Sequence, residues 1–239
     1  MLDGRRKQYL RAMGIPVYVR RGGGAPAAID GDFAPAAESA AGTVLEGIDP
    51  DSVETLDWEA LRTRVAGCTL CDLHEGRNTT VFGVGNPDAD LMVIGEAPGA
   101  EEDRQGEPFV GRAGQLLTAM LGALGLARGD VFIANILKCR PPANRNPVAS
   151  EVSRCLPYLV RQIELIRPRL ILSVGGVSAH SLLDTEEPVG RLRGRVHAFG
   201  PAGIPLVVSY HPAYLLRKPA EKAKAWQDRQ IVREILDQP

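Results

Sequence analysis

Apolar residues of this chain fall into a few continuous runs, which are separated by segments with a different spacing. Four runs show no alternation with polar residues: LMVIG at 91–95, VFIANIL at 131–137, RLILSV at 169–174 and PLVVSY at 205–210. Continuous apolar runs are typical of strands that are covered on both faces, as in parallel sheets. The pattern therefore predicts four buried strands in one parallel sheet.

Segments with apolar residues at helical spacing lie before, between and after these runs. They cover residues 53–65, 113–126, 150–166, 178–183 and 220–236, and Ser150 is a candidate N-cap for the third. Alternation of strands and helices predicts an α/β fold, a three-layer α/β/α sandwich around a central four-stranded parallel sheet. Ligand sites of such sheets gather beyond the carboxyl ends of the strands. The residues that follow each run are therefore the candidates for function.

The N-terminal quarter of the chain lies outside this pattern. Residues 1–21 form a short basic segment, and residues 22–52 have the Ala/Gly/Pro-rich, acidic composition of a flexible linker. The predicted folded domain covers residues 53–239. No apolar run reaches the length of a membrane span or a signal peptide, so we expect a soluble, cytoplasmic protein without a membrane partner.

Charge and composition narrow the classes of binding partner. A formal net charge of −1 argues against a uniformly basic nucleic-acid binder, so any site for a polyanion must be a local patch. The basic patch with the clearest pattern follows the second run, where Lys138, Arg140 and Arg145 are interleaved with prolines. These side chains either contact phosphate or form an ordinary solvated surface.

The segment after the first run, GEAPGAEEDRQGEPFVGRAG at 95–114, is rich in glycine and carboxylates. It contains neither GxGxxG nor GxxxxGK[ST], which weakens its interpretation as a phosphate-binding glycine loop. Phe109 is the one aromatic residue in it, and it is either a plug in the core or a stacking platform for a flat ligand. The residue pattern leaves both alternatives open.

Two further strand ends carry polar side chains. Asn135 can present a donor and an acceptor to the edge of a planar base, or it can stabilise a turn. His211, fixed before a proline, can donate to a developing negative charge, or it can be a core histidine.

Four cysteines stand in three places along the chain: Cys68 and Cys71 in CTLC, then Cys139 and Cys155. Disulfides are rare in the reducing cytoplasm, so we interpret these residues as ligands of a metal or a cluster. Four thiolates can hold either zinc or an iron-sulphur cluster, and ligand chemistry alone does not separate the two.

Taken together, GEAPGAEEDRQGEPFVGRAGQLL, NILKCRPP and HPAYLLR, in this order and with the four cysteines, resemble the family 4 uracil-DNA glycosylases. These are iron-sulphur members of the uracil-DNA glycosylase superfamily, and the likeness covers residues 61–236. It implies a base excision repair enzyme that flips uracil out of DNA and hydrolyses its N-glycosidic bond to leave an abasic site. It also implies a monomer with a [4Fe-4S] cluster held by the four cysteines.

The resemblance assigns roles to individual residues. Phe109 would stack on the flipped uracil, Asn135 would read its Watson–Crick edge, and His211 would hydrogen-bond its O2 oxygen. Ala97 and Gly99, in the same loop as Phe109, would contact the substrate. Ala97 stands where the classical superfamily members carry an Asp that activates water, so that role passes to another carboxylate.

Glu96 is the first candidate for water activation, with Glu102 behind it; Glu102 also resembles a carboxylate that helps exclude thymine. Leu215, with Leu216, would fill the space that the flipped base leaves. Arg217 would hold phosphate, and the resemblance makes DNA the partner of the basic patch: Lys138, Arg140 and Arg145.

Two rival functions follow from the same features. A covalent uracil-capturing type carries a histidine-containing insertion after the second strand, whereas this chain reads CRPPANRNPVASEVSR there. A non-catalytic iron-sulphur protein that binds DNA is the other rival, and Glu96, Phe109, Asn135 and His211 together argue against it. The basic N-terminal segment and the linker could engage an unknown partner in repair or replication.

Overall fold

The computed structural model of the chain describes residues 53–238, so the predicted basic segment 1–21 and linker 22–52 lie outside the described residues. A single mixed sheet organises the described part. Its strands are β1 (Val84–Gly85), β2 (Leu91–Gly95), β3 (Phe132–Asn135), β4 (Leu170–Val174), β5 (Val196–Phe199) and β6 (Ile204–Ser209).

The four predicted strands form the parallel centre of this sheet. The strand order is β1-β3-β2-β4-β6-β5, with parallel pairing from β3 to β6 and antiparallel pairing of the two outer strands. The predicted strand number is corrected from four to six. The two outer strands escaped prediction because β1 is two residues long and because β5 alternates exposed and half-buried residues, so neither is a continuous apolar run.

Helices connect the strands and cover both faces of the sheet. They are α1 (Trp58–Ala66), α2 (Leu73–Gly76), α3 (Ala100–Gln105), α4 (Arg112–Leu124), α5 (Ala149–Ile166), α6 (Gly176–Leu183), α7 (Val189–Leu192), α8 (Pro212–Arg217) and α9 (Lys222–Leu236). Short 3₁₀ turns lie at Arg128–Asp130, Pro142–Asn144 and Pro219–Glu221. No helix within residues 53–238 has the length and apolarity that a membrane span requires.

Two helix starts differ from the predicted ones, and a capping side chain explains each. α1 begins at Trp58, later than residue 53, because the carboxylate of Asp57 accepts the N–H of Ala60 at 2.9 Å. Ser150 lies inside α5 and is not its cap. That helix begins at Ala149, and the Glu151 carboxylate accepts the N–H of the capping residue Val148 at 2.9 Å.

Successive residues of each central strand enter opposite cores, which confirms the three-layer arrangement. Met92 and Ile94 of β2 join the core beneath α1, α5 and α6, whereas Leu91 and Val93 join the core beneath α4 and α9. In the parallel register Gly95 lies beside Asn135, so the carboxyl ends of these strands meet at one edge of the sheet. That edge is where a ligand site is expected.

Helix α9 is tied to the end of β6 by a buried polar network. The Ser209 hydroxyl donates to Asp228 of α9 at 2.8 Å, and Arg193 donates to the same carboxylate oxygen at 3.2 Å. Asp228 is fully buried, so its charge is stabilised by these partners and not by water. Ser209 stands two residues before His211, and the network therefore fixes the strand that leads to that histidine.

Candidate functional site

A cavity of about 800 Å³ opens at the carboxyl edge of the sheet. Its walls come from the segments that follow β2, β3, β4 and β6. Most of the residues predicted from sequence line it: Glu96, Ala97, Gly99, Glu102, Phe109, Asn135, Arg145, His211 and Arg217. The fold thus brings three loops, distant in sequence, to a common space.

Phe109 meets both alternatives that the sequence left open. Its side chain belongs to the buried apolar cluster with Leu117 and Leu121, and it also lines the cavity. The ring lies so close to β2 that a Cβ added at Gly95 would stand 2.6 Å from its Cζ atom. Glycine at position 95 is therefore needed for the ring to occupy this place.

The loop that carries this ring, residues 106–111, is called the Phe109 loop below. The Glu102 carboxylate accepts the N–H groups of Val110 and Gly111 at 3.0 and 3.1 Å through Oε1. Its Oε2 atom accepts the N–H of Gly99 at 3.2 Å. Glu102 lines the cavity as predicted, but both of its oxygens are engaged by the backbone.

Arg128 holds the same loop from the other side, and sequence reasoning missed it. Its guanidinium donates to the carbonyl of Pro108 at 2.8 Å and to that of Phe109 at 3.2 Å. Arg128 lies in the 3₁₀ turn before β3, about twenty residues from its acceptors, and RGD in a turn carries no pattern that predicts this contact.

Asn135 ends β3 and is almost fully buried, at 2% exposure. A Cβ added at Gly95 would lie 2.5 Å from its Oδ1 atom, so the same glycine makes room for the amide and for the Phe109 ring. Asn135 lines the cavity, and its Oδ1 atom and the Phe109 ring approach the same point beside Gly95. This arrangement suits recognition of the edge of a planar heterocycle.

His211 is the N-cap of α8, and its ring is in the neutral form. Its Nδ1 atom accepts the N–H of Ala213 at 3.1 Å, so in neutral imidazole the proton resides on Nε2. Burial, and secondarily the charge of Arg217, lower the pKa of His211 to about 4. Its ring centroid lies 5.5 Å from that of Phe109, with 31° between the planes. The cavity therefore holds a neutral N–H donor beside an aromatic face.

Glu96 supplies a carboxylate to the same space. It follows β2 directly, and its backbone carbonyl accepts the N–H of Leu137 at 3.0 Å, which fixes the start of the loop. Burial raises the pKa of the Glu96 side chain above its ordinary value. A carboxylate with a raised pKa in a cavity is a candidate general base.

The predicted DNA-contacting residues divide into surface and buried groups. Arg217 is exposed at the end of α8, and Arg145 forms a bidentate ion pair with Glu151 at 2.6 and 2.9 Å. The hydrogen bonds that Arg145 donates, and secondarily its positive charge, lower the pKa of the Glu151 carboxyl. Arg140 donates to Asn144 at 2.8 Å within the same loop.

Two of these predictions are corrected. Lys138 is only 1% exposed, and its ammonium donates to the carbonyl of Asn135 at 3.0 Å and to Gln162 at 2.6 Å, so it does not reach phosphate. Leu215 is fully buried among Leu116 and Met120, so it is not available to fill the space of a flipped base. Leu216, beside it, is only partly buried.

Sequence reasoning also missed part of the lining. The missed residues follow β4 and β6 or lie in α7 and α8: Gly175, Gly176, Val189, Gly190, Tyr210 and Tyr214. Tyr210 and Tyr214 have ring centroids 5.0 Å apart. The rule that sites lie beyond strand ends would have found the first two glycines, which directly follow RLILSV.

The four cysteines line one small cavity between α1, α2 and α5. Cys155 Sγ accepts the backbone N–H of Lys138 at 3.2 Å, and Cys139 Sγ accepts a guanidinium N–H of Arg77 at the same distance. Burial raises the pKa of Cys155 to about 12 and also raises those of Cys71 and Cys139.

These sulphur environments fit a group that binds thiolates. Hydrogen bonds to Sγ favour the charged form, and a bound cation would offset the burial that opposes it. Within residues 53–238 no three His, Cys, Asp or Glu side chains are grouped as ligands of one metal ion. This arrangement suits a cluster, in which each thiolate binds a different iron, better than a single zinc ion.

Comparison with known proteins places most of the described region in one group. The model of the uracil DNA glycosylase superfamily matches residues 82–230. A type-4 uracil-DNA glycosylase of Pyrobaculum aerophilum is 45% identical over 179 residues, which are 72% of this chain and 91% of the relative. Proteins with the same name from Archaeoglobus fulgidus and Saccharolobus solfataricus are 44% and 42% identical, over 89% and 86% of their lengths.

Proposed function

Because the chain belongs to the type-4 uracil-DNA glycosylases of the uracil DNA glycosylase superfamily, we propose that its strand-end cavity receives uracil flipped out of DNA. The chain is a hydrolase that cleaves the N-glycosidic bond of uracil, the first step of base excision repair. The observation that carries the assignment to this cavity is the meeting of Phe109, Asn135 and His211 in one space.

Recognition of the base falls to Phe109 and Asn135. Stacking of a base on an aromatic side chain contributes about 1–3 kcal/mol, which offsets part of the cost of unstacking it from the duplex. The Asn135 amide, fixed against Gly95, offers one donor and one acceptor to the uracil edge. Cytosine presents a different donor and acceptor pattern at that edge, so the amide also supports discrimination.

Departure of the base falls to His211. When the bond between N1 and the sugar breaks, its electron pair stays on uracil and negative charge collects on O2. The Nε2–H of neutral His211 donates to that oxygen without transferring its proton, because the pKa near 4 keeps the ring neutral. Loss of one such donor typically costs about 3–4 kcal/mol of transition-state stabilisation.

Attack by water falls to Glu96. Water adds to the sugar carbon that uracil leaves, and its proton passes to the Glu96 carboxylate, so bonds and charges balance. Ala97 has no group for this task, and the oxygens of Glu102 are engaged by three backbone N–H groups. Glu96 is the remaining candidate among the predicted carboxylates.

Binding of DNA outside the cavity falls to basic side chains at its margin. Arg217 and Arg145 line the cavity, and Arg140 lies in the same loop as Arg145. We assign these three residues to phosphate contacts, with the protein acting as a monomer. We assign to Glu102 the exclusion of thymine, because its side chain lines the cavity.

A [4Fe-4S] cluster held by Cys68, Cys71, Cys139 and Cys155 is the proposed cofactor. When bound, it supplies a structural cross-link and takes no part in the hydrolysis. Cys139 stands directly before Arg140, so ligation would tie the basic loop to the segment between α1 and α2. Loss of DNA affinity in Cys139→Ser, with the fold retained, tests this role; unchanged affinity would contradict it.

The deciding experiment incubates purified protein with an oligonucleotide that contains one uracil. We expect free uracil and an abasic site that alkali cleaves, no release from a matched thymine oligonucleotide, and little release by Phe109→Ala or His211→Ala. DNA binding without uracil release would support the non-catalytic rival instead. Iron and sulphide in the same sample are expected. Zinc in their place would overturn the proposed cluster but not the proposed glycosylase activity.

A further inference from the structure

We propose that Arg128 is a positioning residue for uracil recognition, acting through the backbone of Phe109. The proposal rests on the function proposed above. Arg128 does not line the cavity itself; its guanidinium is directed at the backbone carbonyls of Pro108 and Phe109, and only Phe109 lines the cavity.

Phe109 needs such support because its backbone is strained. Its φ angle is +56°, in the left-handed region that residues with a Cβ rarely adopt. Strained conformations of this kind persist only where surrounding contacts determine them. The ring direction is linked to this conformation, so a relaxed backbone would carry the ring away from His211.

Four hydrogen bonds fix the three peptide groups between residues 108 and 111. Glu102 accepts the N–H groups that follow it, and Arg128 donates to the two carbonyls on the other side. Behind the loop, a Cβ added at Gly114 would lie 1.7 Å from the Phe109 carbonyl oxygen, which shows how tightly that carbonyl packs on α4. One anionic and one cationic side chain thus hold the loop from opposite sides.

The arginine fork suits this task better than a lysine would. Its planar guanidinium presents two parallel N–H donors, and the two carbonyls belong to consecutive residues. An ammonium can occupy the same space but cannot hold both oxygens with the same fixed geometry. Arg128→Lys should therefore retain part of the effect that Arg128→Met loses.

The test is a double-mutant cycle between Arg128→Met and Phe109→Ala on uracil-containing DNA. Arg128→Met should lower kcat/KM about 10-fold, equivalent to about 1.4 kcal/mol. In the Phe109→Ala background the same change should have less than about a 2-fold effect, since the ring through which it acts is gone. Inhibition by free uracil should weaken with kcat/KM, while affinity for DNA with an abasic site stays unchanged.

Arg169→Met is the matched control. Arg169 also donates to a backbone carbonyl, that of Gln238 at 2.7 Å, but it directly precedes β4 at the opposite edge of the sheet. This variant should leave both kcat/KM and uracil inhibition unchanged. Hydrogen exchange of the Phe109 loop amides should accelerate in Arg128→Met and not in Arg169→Met.

Equal losses in both backgrounds would overturn the proposal, because Arg128 would then act independently of the ring. Weakened binding of abasic DNA would also overturn it, by showing a phosphate contact. Should Arg128→Met fail to fold, Arg128→Lys takes its place in the same cycle. Absence of uracil release by the unsubstituted protein would defeat the proposed function instead, and the exchange measurement would still report on the loop.

Discussion

The Phe109 loop and the His211 turn, residues 210–213, face each other across the cavity but are held in different ways. Phe109 is kept in place by Glu102 and Arg128, and the carbonyls that Arg128 binds lie 19 and 20 residues from it in sequence. His211 is held by a hydrogen bond to Ala213, two residues away, at the start of its own helix.

This difference separates the two tasks of the site. The aromatic platform depends on tertiary contacts made by charged side chains, whereas the N–H donor is oriented by local backbone geometry. Substitution of Glu102 or Arg128 should therefore damage base stacking before it damages stabilisation of the departing uracil. The predictions that follow test this separation.

The largest effect is expected from His211→Ala. Loss of the Nε2–H donor should lower kcat by about 10²–10³-fold, as for removal of one donor to a developing anion. Binding of uracil-containing DNA should change little, because Phe109 and its loop are untouched. Single-turnover kinetics separate the two quantities, and a loss confined to KM would show that the imidazole only binds the base.

Glu102→Ala should have the next largest effect. It removes the acceptor for three N–H groups, so the Phe109 loop should relax. Each lost hydrogen bond costs about 1–2 kcal/mol. If one or two of these losses reach the transition state, kcat/KM should fall about 10–100-fold. Glu102→Gln keeps one acceptor oxygen and should lose less.

The same pair of variants examines the thymine-excluding role of Glu102. Release of thymine by either variant would show that the carboxylate rejects the methyl group directly. Loss of uracil release with no gain of thymine release would assign Glu102 to the loop alone. Parallel assays on two otherwise identical oligonucleotides distinguish these results.

Leu215→Ala should reduce stability and not chemistry. A fully buried leucine truncated to alanine typically costs about 2–5 kcal/mol of unfolding free energy. Activity well below the melting temperature should stay within about threefold of the starting protein, because Leu215 does not line the cavity. A threefold change in kcat/KM corresponds to less than about 1 kcal/mol. Leu216→Ala is the matched control, and a large activity loss in Leu215→Ala without destabilisation would restore its predicted role as a wedge.

The smallest effect in the unsubstituted protein is expected from a change of pH. Burial raises the pKa of Glu96, so its carboxylate is protonated, and activity falls, as pH decreases through that raised pKa. His211 does not contribute a limb between pH 5 and 8, because its pKa is about 4. The pH profile of kcat/KM should lose its acid limb in Glu96→Gln, whose activity should be low and flat; a retained limb would point to another base.

Much of this arrangement follows from local sequence. The four parallel strands are continuous apolar runs because both of their faces are covered, and the strand-end rule then leads to Glu96, Asn135 and His211. The edge strands were not predictable in this way, because β1 is only two residues long and β5 alternates exposed and half-buried residues.

Burial by elements distant in the chain could not be predicted from the sequence. Lys138 and Leu215 occur in segments that read as basic or apolar surface, yet each is buried by elements far away in the chain. Arg128 was missed for the same reason. Its acceptors, the carbonyls of Pro108 and Phe109, reach it only because the Phe109 loop packs against α4. Residues whose role depends on a distant partner carry no local pattern.

The network between Ser209 and Asp228 has a consequence for the order in which the molecule matures. Translation delivers Phe109, Asn135 and His211 before it delivers α9, which carries Asp228. A nascent polypeptide that has emerged only as far as His211 lacks the anchor for β6. We therefore expect competence to excise a base to be acquired late in biosynthesis, when α9 docks.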